Sequence, residues 1–427
     1  SLAPMSRPLL PVTGAWRPGD PPGRRRFVYL GTDRPFVLEG GGSLSDVTIA
    51  YETWGELNGD GSNAVLLCHA LTGDSHAHGA IEAGHPTEGW WNSMVGPGKA
   101  IDTDRYFVVA ANVLGGCQGS TGPASLQPGT LGLQPYGSAF PVVSIRDMVR
   151  SQVAVANHLG VKRWLAVVGG SMGGMQALEW SVMFPERVRS LVAVSTAVAA
   201  SAQQIAWWST GRKAIHLDAR WRGGDYYRAE AGDGPAEGLA IARMISQITF
   251  RSDDVFTERF GRQVVEPLDG GFALWQRFEV ERYLQYHGDK LARRFDANSY
   301  LILTKAMDLH DVARGRGGLD AAMRRITSPA LVMGANSDIL YPCYQQREIA
   351  DLLHAQGTPV EHVEVNSPHG HDAFLIEPDL FGPPLSEFLT TIEKDETLRA
   401  KRAMSTATSE LREEMSVVAR STKETER

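Results

Sequence analysis

Three cysteines among 427 residues, Cys68, Cys117 and Cys343, are too few and too scattered for a disulfide framework or a cysteine zinc site. They suit a reducing compartment, the cytoplasm. Long apolar runs are also missing. The best candidate, Leu165 to Phe184, is broken by four glycines and Glu179, so no membrane span is expected. The first thirty residues carry Pro, Gly and Arg but no apolar stretch of the kind a signal peptide needs. Excess basic charge is absent as well. The 42 Lys and Arg against 49 Asp and Glu leave −7, which argues against a nucleic-acid partner. Arg24-Arg25-Arg26, the one basic run, reads as solvated surface. Neither a G-x-G-x-x-G fingerprint nor a Walker sequence occurs, which disfavours a dinucleotide or P-loop site.

Apolar material is plentiful. Hydrophobic residues make up 43% of the chain, with ten Trp, fourteen Phe and eleven Tyr, enough for a full core without a disulfide or metal staple. Short apolar runs bounded by turn residues recur at Ala64 to Cys68, Tyr106 to Ala111, Trp164 to Val168, Val188 to Val194, Ala330 to Met333 and Val360 to Val365. These read as strands buried on both faces, with helix-like segments such as Ile145 to Leu159 and Met172 to Met183 between them. That alternation predicts an α/β fold with a mostly parallel sheet. It fails between about Val198 and Thr327, a helix-like stretch rich in aromatics and arginines. The expected organisation is an irregular arm over 1–35, a core from 36–197 and 328–392, a helical lid over 198–327, and a charged tail over 393–427. Leu411, Met415 and Val418 give that tail helical spacing, and fraying is the alternative.

The most informative stretch is Trp164-Leu165-Ala166-Val167-Val168-Gly169-Gly170-Ser171-Met172-Gly173-Gly174-Met175-Gln176. An apolar run, then G-x-S-x-G, then a helix-like segment is the nucleophile-elbow pattern in the context it needs. Side chains at Gly169 and Gly173 would collide with the tight turn or a neighbouring strand. The turn lifts the Ser171 hydroxyl clear and brings the Met172 N–H to face a developing negative charge. A serine nucleophile needs a base, and the base needs an orienting acid, in the chain order Ser, acid, His. Asp338 follows the run Ala330 to Gly334, and His371 follows the next one in Ser367-Pro368-His369-Gly370-His371-Asp372. His371 is preferred to His369 because a glycine precedes it and an apolar helix start follows. The loop after Ala64 to Cys68 should supply the second oxyanion N–H, assigned to Leu71. His69, His76 and His78 have no cysteine or carboxylate cluster at metal-ligand spacing and read as structural, so no metal is expected.

Five motifs together resemble the homoserine O-acetyltransferase family. They are His69 to Gly73, the loop Asn112 to Pro123, the elbow Gly169 to Gly174, Gly288-Asp289-Lys290 with Arg294-Phe295-Asp296-Ala297-Asn298-Ser299-Tyr300, and Gly370 to Leu375. The likeness runs from about residue 35 to residue 390. It implies an α/β-hydrolase fold with a helical lid and a Ser171–His371–Asp338 triad. It also implies ping-pong acetyl transfer from acetyl-CoA to L-homoserine, as in methionine biosynthesis, without a bound cofactor. It further implies that Arg243 holds the homoserine carboxylate and Asp372 its amine, and that the chain forms a homodimer, with the adjacent Trp207 and Trp208 in the lid as a candidate face. Arg243 itself sits off the apolar stripe Ile241, Ile245, Ile248. Two features depart from the family's common pattern: Thr249 is followed by Phe250 rather than tyrosine, and Thr121-Gly122-Pro123 is followed by Ala124. Relatives that use succinyl-CoA or accept serine have similar loops, and an ester hydrolase on the same fold is the remaining alternative.

Overall fold

A strand that is apolar at every position must be covered on both faces. Ala64–Cys68 divides its residues in this way: Leu66 and Cys68 join the apolar cluster on one side, Val65 and Leu67 the cluster on the other. The computed structural model, which describes residues 9–131, 134–265 and 274–395, builds eight strands into one sheet between these two layers. In chain order they are β1 (Arg26–Leu30), β2 (Val47–Trp54), β3 (Ala64–Cys68), β4 (Phe107–Ala111), β5 (Ala166–Gly170), β6 (Leu191–Val194), β7 (Ala330–Ala335) and β8 (Val360–Val365). Their spatial order is β1-β2-β4-β3-β5-β6-β7-β8. The β1–β2 and β2–β4 pairings are antiparallel and the rest are parallel. The order reverses between β3 and β5, so the loops leaving their C-terminal ends open a crevice there.

The crossover helices carry their own start and stop signals. Ser144 and Asp147 form a capping box that opens α1 (Ile145–His158), between β4 and β5. α2 (Met172–Met183) follows β5 directly and ends ahead of Pro185. Between β6 and β7 the chain forms α3 (Ala202–Leu217), α4 (Ala236–Thr249), α5 (Asp253–Phe260), α6 (Glu279–Ala292), α7 (Ala297–Asp308) and α8 (Leu319–Met323). α9 (Cys343–Ala355) joins β7 to β8, and a last helix spans 378–395. Among the described residues no helix is long and apolar enough to cross a membrane.

Several features differ from the sequence expectation. The arm is not irregular throughout: Arg26–Leu30 is an edge strand paired with β2, with Val28 turned into the core. Arg25 is not solvated. It is 5% exposed, and its guanidinium donates to Gln118 Oε1 and to the carbonyls of Gln118, Gly84 and Pro22. Trp208 is buried, and Trp207, half-buried, packs against the core. On α4 the inner face is reversed. Ile241 and Ile248 are exposed, while Leu239, Ala240, Ala242 and Ser246 are buried. Small residues face inward because α6 approaches closely: a Cβ on Gly288 would lie 2.9 Å from the Ala240 carbonyl oxygen. The last helix runs to Asp395, past the expected boundary at 393. The tail positions Leu411, Met415 and Val418 lie outside the described residues.

Candidate active site

β5 ends at Gly170 and α2 begins at Met172, so Ser171 alone turns the chain. Its φ of +58° and ψ of −125° are a conformation that a residue with a Cβ adopts only under constraint. The constraint is visible. Its N–H donates to Val194 O at 2.9 Å, and its carbonyl accepts from Thr196 Oγ1 at 2.9 Å and Gly174 N at 2.9 Å. The turn closes this tightly because a Cβ on Gly169 would lie 2.1 Å from Gly173 O, and one on Gly173 would lie 2.0 Å from Cys68 O. The Ser171 side chain makes no capping bond to the helix it opens, which leaves Oγ for other partners.

Asp338 follows β7 and His371 follows β8, and the fold brings them together. His371 Nδ1 donates to Asp338 Oδ2 at 2.7 Å, with both residues 4% exposed. The other carboxylate oxygen accepts from Leu340 N at 2.9 Å and Tyr341 N at 2.8 Å, which fixes the carboxylate plane. Tyr341 stacks on the imidazole at 5.1 Å, and Phe374 meets it edge-on at 5.8 Å. The same Phe374 ring packs against Gly170, the neighbour of Ser171. The imidazole and the strained serine therefore share one corner of the fold. His369 is more exposed, and its Nε2 lies 3.9 Å from Glu377.

The loop after β3 is tied down on all sides. Gly73 N donates to Ala70 O at 2.9 Å and closes a turn around Leu71 and Thr72. The Leu71 N–H donates to no backbone carbonyl among the described residues. Met172 N is the first amide of α2, where no intrahelical acceptor exists. His69 donates from Nδ1 to Ala70 O at 2.7 Å and accepts from Val113 N at Nε2, at 3.1 Å. Burial lowers its pKa and keeps it neutral, so it is a brace. Gln176, fully buried on α2, donates to His69 O and is itself held by Gln152 of α1. Sequence reading missed Gln176, although its place in the elbow helix was a signal.

Arg243 reaches the site through Phe250, whose ring lies 5.0 Å from the guanidinium carbon and 5.8 Å from the His371 ring. Asp372 N donates to Phe250 O at 3.2 Å, so the end of α4 rests on the histidine loop. Asp372 already has a cationic partner, Arg251, at 3.2 Å, which sequence reading did not find. Arg243 also lines a cavity of about 230 Å³ with His287, Lys290, Arg294, Glu88 and Trp90. Burial, then the charges of Arg243 and Lys290, depress the His287 pKa to about 4, so His287 stays neutral among cations. Cys68 and Cys117 are buried, which raises their thiol pKa values, and burial pushes Cys343 up to about 11, so none is an activated thiolate.

A carboxylate does join the histidines, contrary to the spacing argument. Glu52 of β2, fully buried, meets His76 Nδ1 at 2.9 Å and His85 Nε2 at 3.3 Å. The two imidazoles are stacked, 3.8 Å apart and 10° from parallel. Their nitrogen lone pairs lie in the two ring planes, so one cation about 2.1 Å from both nitrogens would sit well out of each plane. Ser75 Oγ donates to Glu52, and Arg24 N donates to His85 Nε2. The cluster is a hydrogen-bonded knot of three buried side chains whose ligand atoms lie within 4.8 Å of one another. Burial lowers the His76 pKa, but the bond to Glu52 and its charge outweigh burial and raise it above 6.5. That stabilisation is complete below about pH 6.5 and is lost as pH rises through the folded-state pKa. Glu52→Gln should therefore lower stability by about 2 kcal/mol near pH 6, the value of the charge-assisted hydrogen bond that is lost as His76 reverts to the neutral form burial favours. In urea unfolding its gap to wild type should narrow as pH rises through the folded-state pKa of His76; a gap that widens with pH contradicts this pairing.

The α/β-hydrolase-fold family profile matches residues 63–378. A homoserine O-acetyltransferase of Thermobifida fusca (strain YX) is 55% identical over 375 residues, covering 87% of this chain and 95% of that protein. The solved homoserine O-acetyltransferase of Bacillus anthracis superposes with a TM-score of 0.78 at 30% identity, covering 86% of this chain and 97% of that one. The solved esterase E22 superposes with a TM-score of 0.77, also at 30% identity, covering 86% of this chain and 99% of that one.

Proposed function

The chain belongs to the homoserine O-acetyltransferase family on the α/β-hydrolase fold, and on that footing we propose that Ser171, His371 and Asp338 carry out its reaction as a triad. The reaction is acetyl transfer from acetyl-CoA, the co-substrate, to the hydroxyl of L-homoserine. The observation that carries the assignment is the 2.7 Å Asp338–His371 bond in the same corner as a serine at φ +58°.

In the first half-reaction His371 Nε2 takes the Ser171 proton as Oγ attacks the thioester carbonyl. The Leu71 and Met172 N–H groups face the oxyanion, the C–S bond breaks, and His371 returns the proton to the departing thiolate. In the second, His371 takes the homoserine hydroxyl proton while that oxygen attacks the acetyl-serine. The Ser171–carbonyl bond breaks, and Ser171 recovers its proton. Water must lose to the alcohol. The α3–α8 insertion is read as a lid that holds the acceptor in attack position. The placement of Phe250 against both His371 and Arg243 supports that reading.

Arg243 is proposed to hold the acceptor carboxylate, and Asp372, shared with Arg251, its ammonium. Arg243→Ala should raise the homoserine KM about 10- to 100-fold, the value of a charge-assisted hydrogen bond. Acetyl-enzyme formation should change less than about 3-fold, since no acceptor is present then. Rapid-quench measurement of each half-reaction reads both, and equal losses in the two count against the carboxylate role. The same assay tests the whole reading against an esterase. Without homoserine, thiol release should stop after one equivalent per active site; steady release without homoserine would indicate a hydrolase.

A further inference from the structure

The Arg294 to Tyr300 stretch has no part in the chemistry above, yet it ties the N-terminal arm, the insertion and the loop after β3 together. Asp296 accepts from Tyr226, Tyr227 and Thr13, and Asn298 binds Trp221 and Tyr227. Tyr300 meets Ser246 of α4 at 2.8 Å. These contacts make α7 a strut between the insertion and the arm. Arg294 extends the strut to the oxyanion loop: its guanidinium donates to Thr72 O at 2.7 Å.

The turn that Arg294 holds sets the direction of the Leu71 amide. A trans peptide points its C=O and N–H in opposite directions within one plane. The Ala70 carbonyl is pinned by Gly73 N and His69 Nδ1, so the Leu71 N–H is aimed away from both. The peptide plane on the far side of the turn, at Thr72, is held by Arg294. Arg294 is in turn fixed by its own carbonyl, which accepts from Gln118 Nε2 at 2.7 Å, and Gln118 is clamped by the buried Arg25. No ion pair among the described residues uses Arg294, so its charge is not committed to a surface carboxylate.

We propose that Arg294 is a positioning residue for the reaction, holding the oxyanion turn through the Thr72 carbonyl so that the Leu71 N–H meets the developing charge. The proposal rests on the reading of Leu71 as an oxyanion donor. Arg294→Met keeps an unbranched apolar stem, shorter than arginine, and removes the donor. It should slow single-turnover acetylation by acetyl-CoA about 10- to 100-fold, the effect of a small misplacement of a catalytic group. Half-saturating acetyl-CoA should stay within about 3-fold, and the pH midpoint of acetylation should not move, because His371 is untouched. Arg294→Lys, with one donor able to reach the carbonyl, should recover part of the rate. A loss confined to acetyl-CoA saturation, or acetylation at the wild-type rate, overturns the proposal. If the Met variant does not fold, the Lys variant decides alone: a melting temperature near wild type with acetylation about 3- to 10-fold slower supports the role, and an unchanged rate ends it. Ser171→Ala in the same assay separates the two layers. If it still acetylates, the site assignment fails. If it is silent while Arg294→Met is as fast as wild type, only the role of Arg294 fails.

Discussion

Ser171→Ala should reduce acetyl transfer by about 10⁴- to 10⁶-fold, the loss seen when a triad nucleophile is removed. The reason is local and mechanical. The serine alone spans the β5–α2 turn at φ +58°, with its backbone held by Val194, Thr196 and Gly174 and its side chain free of the helix cap. Alanine fits the same backbone, so the fold should survive and the melting temperature should move little. The variant should still bind acetyl-CoA. Mass spectrometry of wild type mixed with acetyl-CoA alone should show one acetyl group on the peptide containing Ser171, and the variant should show none. Acetylation of the variant at another residue, with turnover retained, would falsify the ping-pong scheme through this serine.

Asp338→Asn should lower kcat/KM by about 10³- to 10⁴-fold at nearly unchanged stability. The carboxylate has two distinct duties. Oδ1 accepts two backbone N–H groups, from Leu340 and Tyr341, and Oδ2 accepts the His371 Nδ1 proton. An asparagine has only one oxygen. The two backbone donors demand it, so the amide NH₂ must turn toward His371 Nδ1. The imidazole then keeps its proton on Nε2, where it cannot accept one from Ser171. The defect is the wrong tautomer in an intact site, with the base also deprived of the charge that stabilises its protonated form. Steady-state kinetics with both substrates varied checks this. More than about a tenth of wild-type activity would mean that Asp338 is not the orienting acid.

The parts of the site that could be read from sequence are those whose geometry is local. Gly169, Ser171 and Gly173 sit within five positions, and the collisions that exclude side chains from the two glycines arise inside that turn or against the adjacent strand end. Asp338 and His371 were legible for a related reason: Asp338 follows the fully buried β7 and His371 follows β8, which proves to be an alternating Val-Glu-His-Val-Glu-Val edge strand rather than one buried on both faces, and parallel strands deliver such loops to one edge. The inner face of α4 was misread because Ile241, Ile245 and Ile248 are the large apolar residues there. Close approach of α6 requires small ones, so Ile241 and Ile248 turn outward while Arg243 and Ile245 are half-buried. Glu52 escaped notice as a partner of His76 because β2 and the loop after β3 meet only once the sheet forms. Arg25 looked like surface because its four acceptors come from three separate loops.

The sequence by itself determined the layered α/β architecture, the strained hydroxyl at the end of β5, and the chain order of Ser171, Asp338 and His371, the residues proposed as nucleophile, acid and base. Steric exclusion and apolar patterning act between near neighbours, so they can be read along the chain. Tertiary structure alone decided which arginine meets Asp372, what holds the turn from Ala70 to Gly73 and why His287 stays neutral. Each of these depends on a sum of charges and hydrogen bonds from segments far apart in the chain, whose distances exist only after the layers have packed.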